Sequence, residues 1–227
     1  MLVEIPQLLS PKELSSVREL IDSAETVDGK VTAGEIAARA KHNRQLPEDS
    51  AAARQAGEII LRALGRNALF NSAALPLRVL PPLFNRYDVG MSFDAHVDGA
   101  VRAIPGVSIR MRADLSSTLF LSSPDEYDGG ELVIEDSYGV HTIKLPAGHM
   151  ILYPAGSLHR VNAVTRGARW ASFFWTQSMI KEEGLRGLLY DLDRGIMDVR
   201  TSLGCDTKGI LSLTSVYHNL LRRSVEL

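Results

Sequence analysis

The chain has one cysteine, Cys205, in 227 residues, so no internal disulfide can close and a reducing compartment suits it. Its first residues, Met1-Leu2-Val3-Glu4-Ile5-Pro6, lack the basic stretch and apolar run of a secretory leader. No apolar run approaches the ~20 residues that a membrane helix needs. These absences predict a soluble, cytoplasmic protein with no membrane partner. A net charge of −2 offers no broad positive footprint for nucleic acid, although a local basic patch stays compatible with it. Internal repeats and low-complexity stretches are also absent. What is present is ordinary globular composition: 45% hydrophobic and 23% charged residues can bury a sizeable core as one domain with small additions.

Taken in order, Ser10-Pro11-Lys12-Glu13 combines a capping serine, a first-turn proline and the glutamate of a capping box. Leu14, Val17, Leu20 and Ile21 then form one apolar helix face. Residues 26–45 are polar and broken by Asp28-Gly29 and Gly34, which predicts loop with short strand pieces. A helix is expected over 48–64 with Gly65 as its stop, and a shorter one over 67–73. From Leu77 the texture changes to short runs at 78–87, 117–122, 131–135, 140–145, 149–153, 158–164 and 168–176. Turn residues part them, among them Asp128-Gly129-Gly130, Ser137-Tyr138-Gly139 and Arg166-Gly167. This spacing indicates an antiparallel sandwich or barrel. Gly129-Gly130 is expected to be a hairpin turn. After Gln177 the helical pattern returns, with Leu185, Leu188, Leu189 and Leu192 and then a segment from Leu211 to Arg223. The expected division is therefore 1–75, a helical and mixed region packed on the core; 76–178, the β domain; and 179–227, a helical extension.

The β region holds the chemistry-bearing set. His96 and Asp98 are two apart in an extended segment, so they point the same way. His159 can complete a two-histidine, one-carboxylate facial triad, which suits non-haem Fe(II) and leaves coordination positions open. Arg169, ten residues later, is a fixed cation able to grip a carboxylate in a fork. If Thr165-Arg166-Gly167 is a three-residue hairpin turn, His159 lies opposite Phe173, and His159 shares a face with Arg169 at ~13 Å. Arg160 and Arg166 are the alternative cations. His141, His149, His42 and His218 read as structural or surface histidines, and Asp94 does not fit the motif as Asp98 does. Arg110 and Arg112 fall in a span expected to be a loop.

The set His96-x-Asp98, His159 and Arg169 resembles the Fe(II)/2-oxoglutarate-dependent dioxygenases with a jelly-roll core. The closest branch is the prolyl 4-hydroxylase-like one, through Asn85-Arg86-Tyr87 and Gly129-Gly130-Glu131-Leu132. Within it, Thr32-Ala33-Gly34, the run Lys41-His42-Asn43-Arg44-Gln45-Leu46 and the run from Ala171 to Ile180 are similar to the bacterial PKHD-type hydroxylases. The resemblance implies an α+β fold with a double-stranded β-helix (jelly-roll) core, N-terminal helices packed on it and a small C-terminal helical extension. It implies Fe(2+) bound by His96, Asp98 and His159, and 2-oxoglutarate held by Arg169 with Tyr87. It also implies L-ascorbate as support for the iron, O2 as co-reactant, and a hydroxylase releasing succinate and CO2.

Two rivals remain at this stage. A nucleic-acid demethylase on the same core would be expected to carry a second arginine beyond Arg169, and none follows in Trp170 to Trp175. A non-catalytic metal-binding β-barrel would not need the complete set, and a cupin-type protein more often shows H-x-H. The substrate stays open between peptidyl proline, a free amino acid and a small iron-related metabolite. The apolar terminal helices make a homo-oligomer reasonable.

Overall fold

The first helix starts where the capping pattern places it. In a computed structural model describing residues 1–32, 41–137 and 139–227, helix α1 spans Pro11–Asp22. Ser10 Oγ accepts from the Glu13 amide, and the Glu13 carboxylate accepts from the Ser10 amide at 3.0 Å, so two otherwise orphaned donors are satisfied. Helix α2 spans Ala51–Arg66 and α3 spans Ala68–Ala74. Gly65, expected as a stop, instead lies inside the last turn of α2. Asn67 does the terminating: it is extended, and its side chain caps the Phe70 amide of α3. Ala33, Gly34 and Tyr138, named above as loop or turn residues, lie outside the described residues.

Two antiparallel sheets face one another. The larger is ordered β1 (Val3–Ile5), β14 (Met150–Pro154), β10 (Leu115–Phe120), β17 (Arg169–Ser178), β6 (Leu83–Tyr87), β4 (Arg44–Gln45) and β2 (Val27–Asp28), with β5 (Pro76–Val79) against the far end of β17. The smaller is ordered β13 (Gly139–Ile143), β12 (Leu132–Asp136), β15 (Leu158–Val161), β7 (Ser92–His96) and β3 (Lys41–His42). Ribbons β8 (Val101–Ala103) with β9 (Arg110–Arg112), and β11 (Tyr127–Gly129) with β16 (Val164–Gly167), complete the described strands. This is the expected α+β jelly roll.

Alternation along β17 sorts the layers. Trp170 and Phe174 face outward into a core made with Val17 and Ile21 of α1, Ile60 and Leu64 of α2, and Phe70 of α3. Arg169, Ala171, Phe173 and Trp175 face inward to a cavity between the sheets. The C-terminal helices α4 (Glu183–Leu203) and α5 (Lys208–Ser224) bury Leu189, Ile196, Ile210 and Tyr217 with Leu75 and Ile180 in a separate cluster. Leu188, counted above in the apolar spacing, points outward and is 68% exposed.

Three sequence expectations are corrected here. The run 158–164 is not one strand followed by a hairpin into β17. It breaks after Val161, and β16 leaves to pair with β11, so β15 and β17 belong to different sheets. His159 therefore lies opposite His96 and Ile134, not Phe173. Gly129-Gly130 is not a hairpin turn either: with φ of 70° and 66°, it carries the chain from the β11 ribbon into the smaller sheet. Arg110 and Arg112 lie in the β8–β9 hairpin, where Arg112 pairs with Asp114 and Glu226.

Candidate metal centre and anion pocket

Strand β7 and strand β15 are neighbours, and their register sets His96 directly opposite His159. The two rings have centroids 4.2 Å apart. Asp98, just past the end of β7, brings its Oδ2 to 3.9 Å from His159 Nε2. One ligand atom from each of His96, Asp98 and His159 lies within 4.8 Å of the others. A carbonyl oxygen can only accept, so His96 Nδ1 donates to Asp94 O at 2.8 Å and His159 Nδ1 donates to Ser157 O at 3.0 Å. A neutral ring held that way keeps its Nε2 lone pair for a metal. Burial, with the neighbouring His159 adding to it, pushes the His96 imidazole below its ordinary pKa, which favours the neutral form a ligand needs. The donor set is therefore the nitrogen–nitrogen–oxygen kind that suits Fe(II).

Ser116 of β10 adds a contact that the sequence did not advertise. Its Oγ donates to Asp98 Oδ2 at 2.5 Å, and the side chain is buried. Nothing in a serine 18 residues beyond the aspartate marks it; only the inward alternation of β10 could have suggested it.

The second half of the site is Arg169, 1% exposed and opposite Tyr87 in the register of β17 with β6. Its Nε and Nη2 have no hydrogen-bond partner within ordinary bonding geometry among the described residues, and the Tyr127 hydroxyl is its polar neighbour. Its guanidinium carbon lies 5.4 Å from the Tyr87 ring centroid and 5.1 Å from that of Phe120. A buried, unpaired guanidinium is costly, so this geometry calls for an anion with two oxygens. Burial raises the Tyr87 phenol above its ordinary pKa against the pull of Arg169, leaving a neutral O–H able to donate. Tyr153, between the halves, is likewise raised by burial and by Asp98. The alternative cations are otherwise engaged: Arg160 pairs with Glu135 and Arg166 with Asp128, each at 2.7 Å. His141 and His149 sit beside Asp136 and Glu4, away from the triad.

His96, Asp98, His159, Tyr87 and Arg169 all line one cavity of about 750 Å³, within the range of small-molecule sites. So do three residues that the sequence reading gave no role there, Lys41, Arg102 and Ser116.

Residues 82–177 match the model of the 2OG-Fe(II) oxygenase superfamily, and residues 183–226 match that of the PKHD-type hydroxylase C-terminal domain. The chain is similar to a PKHD-type hydroxylase of Methylobacterium nodulans, 64% identical over 227 residues with both chains fully covered. A PKHD-type hydroxylase of Cupriavidus metallidurans is 61% identical, again over the whole of both. Among solved structures, a Trichoplax adhaerens prolyl hydroxylase in complex with a hypoxia inducible factor peptide fragment has a TM-score of 0.57 at 14% identity, covering 81% of this chain and 86% of that one. At that identity the likeness speaks for the fold.

Proposed function

Because the chain belongs to the PKHD-type hydroxylases of the 2OG-Fe(II) oxygenase superfamily, and is thus an Fe(II)- and 2-oxoglutarate-dependent hydroxylase, we propose that its iron is held by His96, Asp98 and His159. Arg169, with the Tyr87 hydroxyl beside it, takes the far carboxylate of 2-oxoglutarate. The observation that carries this second assignment is the 1% exposed guanidinium with two unpartnered nitrogens facing the triad's cavity. Bound iron supplies the oxidation, in which 2-oxoglutarate yields succinate and CO2 and one atom of O2 enters a substrate C–H bond. The protein's own contribution is positional. Asp94 and Ser157 carbonyls fix the histidine tautomers, Ser116 fixes the carboxylate, and Phe93, stacked 3.7 Å from the His96 ring, covers one side. Family membership sets aside the non-catalytic barrel.

The finer readings belong to the same proposal. Ascorbate maintains the iron, the protein is cytoplasmic, and the division at 75 and 178 follows the start of β5 and the end of β17. No helix among the described residues is long and apolar enough to cross a membrane. Net charge of −2 and the lack of a second arginine on β17 support a substrate other than nucleic acid. Exposed Leu188, Leu211 and Leu213 on the terminal helices support a homo-oligomer.

The test is an anaerobic titration of Fe(II)-loaded protein with 2-oxoglutarate, followed by the weak visible band of a chelated keto acid. Wild type should give a saturable band. Arg169→Ala should leave iron affinity nearly unchanged and weaken 2-oxoglutarate roughly 30-fold to several-thousand-fold, with Arg169→Lys between. A shift below about two-fold in both variants would overturn the assignment, as would wild type without a band.

A further inference from the structure

The segment Asn85-Arg86-Tyr87 is only half used by the metal centre and the anion pocket. Tyr87 lies opposite Arg169, and Arg86 turns outward to Asp88 and Trp170, while the cosubstrate assignment gives Asn85 no part. Asn85 and Tyr87 are two apart on β6, so both point inward, and both line the cavity. Asn85 is 6% exposed. Its side chain turns along its own strand, and Nδ2 donates to the Tyr87 hydroxyl oxygen at 3.5 Å. At that length the bond is weak, and it strengthens when an anion draws the phenol's hydrogen the other way. The Asn43 side chain, 3% exposed, is a second amide beside the same hydroxyl. Gly29 makes room for it, since a Cβ there would collide with Asn43 Oδ1.

A phenol has one hydrogen to give and lone pairs to receive with, and its O–H rotates to suit its neighbours. An N–H that occupies the lone pair on the Asn85 side turns that hydrogen away from Asn85. The register of β6 with β17 puts Ala171 opposite Asn85 and Arg169 opposite Tyr87. The carboxylate that Arg169 attracts is then the acceptor within the hydrogen's reach. Two hydrogen bonds in series through one oxygen polarise each other, so the bond to the carboxylate gains from the one behind it. Turned the other way, Asn85 Oδ1 would capture the hydrogen itself and weaken the grip on the anion. The two orientations therefore predict opposite effects of removing the amide.

We infer that Asn85 is a positioning residue for the cosubstrate: through Nδ2 it aims the Tyr87 O–H at the 2-oxoglutarate carboxylate that Arg169 holds, with Asn43 beside the same hydroxyl. The inference rests on the assignment of Arg169 and Tyr87 to 2-oxoglutarate. It makes preference for a dicarboxylate depend on a neutral residue that acts through another.

The experiment uses the full chain loaded with Zn(II), which does not support the O2 chemistry. Calorimetry measures 2-oxoglutarate, and 2-oxobutyrate as the keto acid without a far carboxylate, on wild type, Asn85→Leu, Tyr87→Phe and the double variant. Asn85→Leu keeps the volume and removes the amide. It should weaken 2-oxoglutarate about 3- to 10-fold and Tyr87→Phe about 10-fold or more, the sizes of a neutral hydrogen bond and of one to a charged group. The double variant should fall within about two-fold of Tyr87→Phe alone, because Asn85 acts through the hydroxyl already removed. Binding of 2-oxobutyrate should stay within about two-fold of wild type in all of them. Asn85→Ala, which cannot overpack the site, should repeat the pattern, so the test survives an Asn85→Leu that fails to fold. The inference is overturned if the two single losses add in the double variant, or if Asn85→Leu and Asn85→Ala bind 2-oxoglutarate as well as wild type or better. It is overturned equally if they weaken 2-oxobutyrate as much as 2-oxoglutarate, the mark of a general disturbance. Tyr87→Phe with wild-type affinity, or wild-type protein that fails to bind 2-oxoglutarate, would instead bring down the assignment on which the inference rests.

Discussion

Arg169 and Arg160 show how little a residue type says before its surroundings are known. Both are arginines of the β region; one is buried without an ion pair among the described residues, and the other is spent on Glu135 at the surface. Ser116 makes the complementary point, because an unremarkable hydroxyl becomes consequential by touching Asp98. A carboxylate held by a short hydrogen bond loses less freedom when it ligates, so Ser116→Ala should weaken Fe(II) binding about 10- to 100-fold. Ser116→Thr should recover part of that loss, and the 2-oxoglutarate affinity of iron-saturated protein should move much less. Equal Fe(II) affinities for wild type and Ser116→Ala, measured by competition with a chelator, would show that the contact does not position the ligand.

Among the elements, β17 connects layers: its outward residues Trp170 and Phe174 anchor the helices, and its inward ones form the cavity floor. The crossing at Gly129-Gly130 matters for the same reason. A Cβ on Gly129 would meet the Ala163 carbonyl oxygen at 2.1 Å, and one on Gly130 would lie 3.1 Å from Arg169 Cδ. Gly129→Ala combines a positive φ with a backbone clash, so it should cost at least ~1–3 kcal/mol. That corresponds to a drop of roughly 2–12 °C in Tm for a chain of this size. Gly65→Ala is the contrast: it sits in helical backbone with nothing within 4 Å of its added carbon, and should be neutral or stabilising by ~0.5–1 kcal/mol. A thermal melt in which Gly129→Ala matches wild type would remove the argument for that crossing.

At the scale of the whole molecule, stability and chemistry occupy different cores. The cavity lies between the sheets, whereas Leu189, Ile196, Ile210 and Tyr217 seal the C-terminal helices against Leu75 and Ile180. Leu189→Ala leaves a hole in that seal and should cost ~2–5 kcal/mol, or roughly 4–20 °C in Tm. The 2-oxoglutarate affinity of the folded fraction at low temperature should stay within about two-fold of wild type, because no residue of that cluster lines the cavity. A large loss of affinity with an unchanged Tm would mean that the extension acts on the site directly.

Local patterns alone determined the capping box at Ser10, the shift from helical to strand texture near residue 77, and the return to helix after Gln177. The candidate ligand set came from the same kind of local reading: H-x-D puts two side chains on one face whatever strand carries it, and His159 and Arg169 stand on later runs of the same β region. What tertiary structure decided was how the strands meet. The run 158–164 is continuous in composition, yet it splits because β16 finds its hydrogen bonds with β11, not with β17. Such pairing depends on edges contributed by distant segments, and alternation within one strand carries no record of them. The same limit hid Ser116, Lys41 and Arg102. Each is an ordinary polar residue in its own segment and becomes part of a site only where β10, β3 and β8 converge on one cavity.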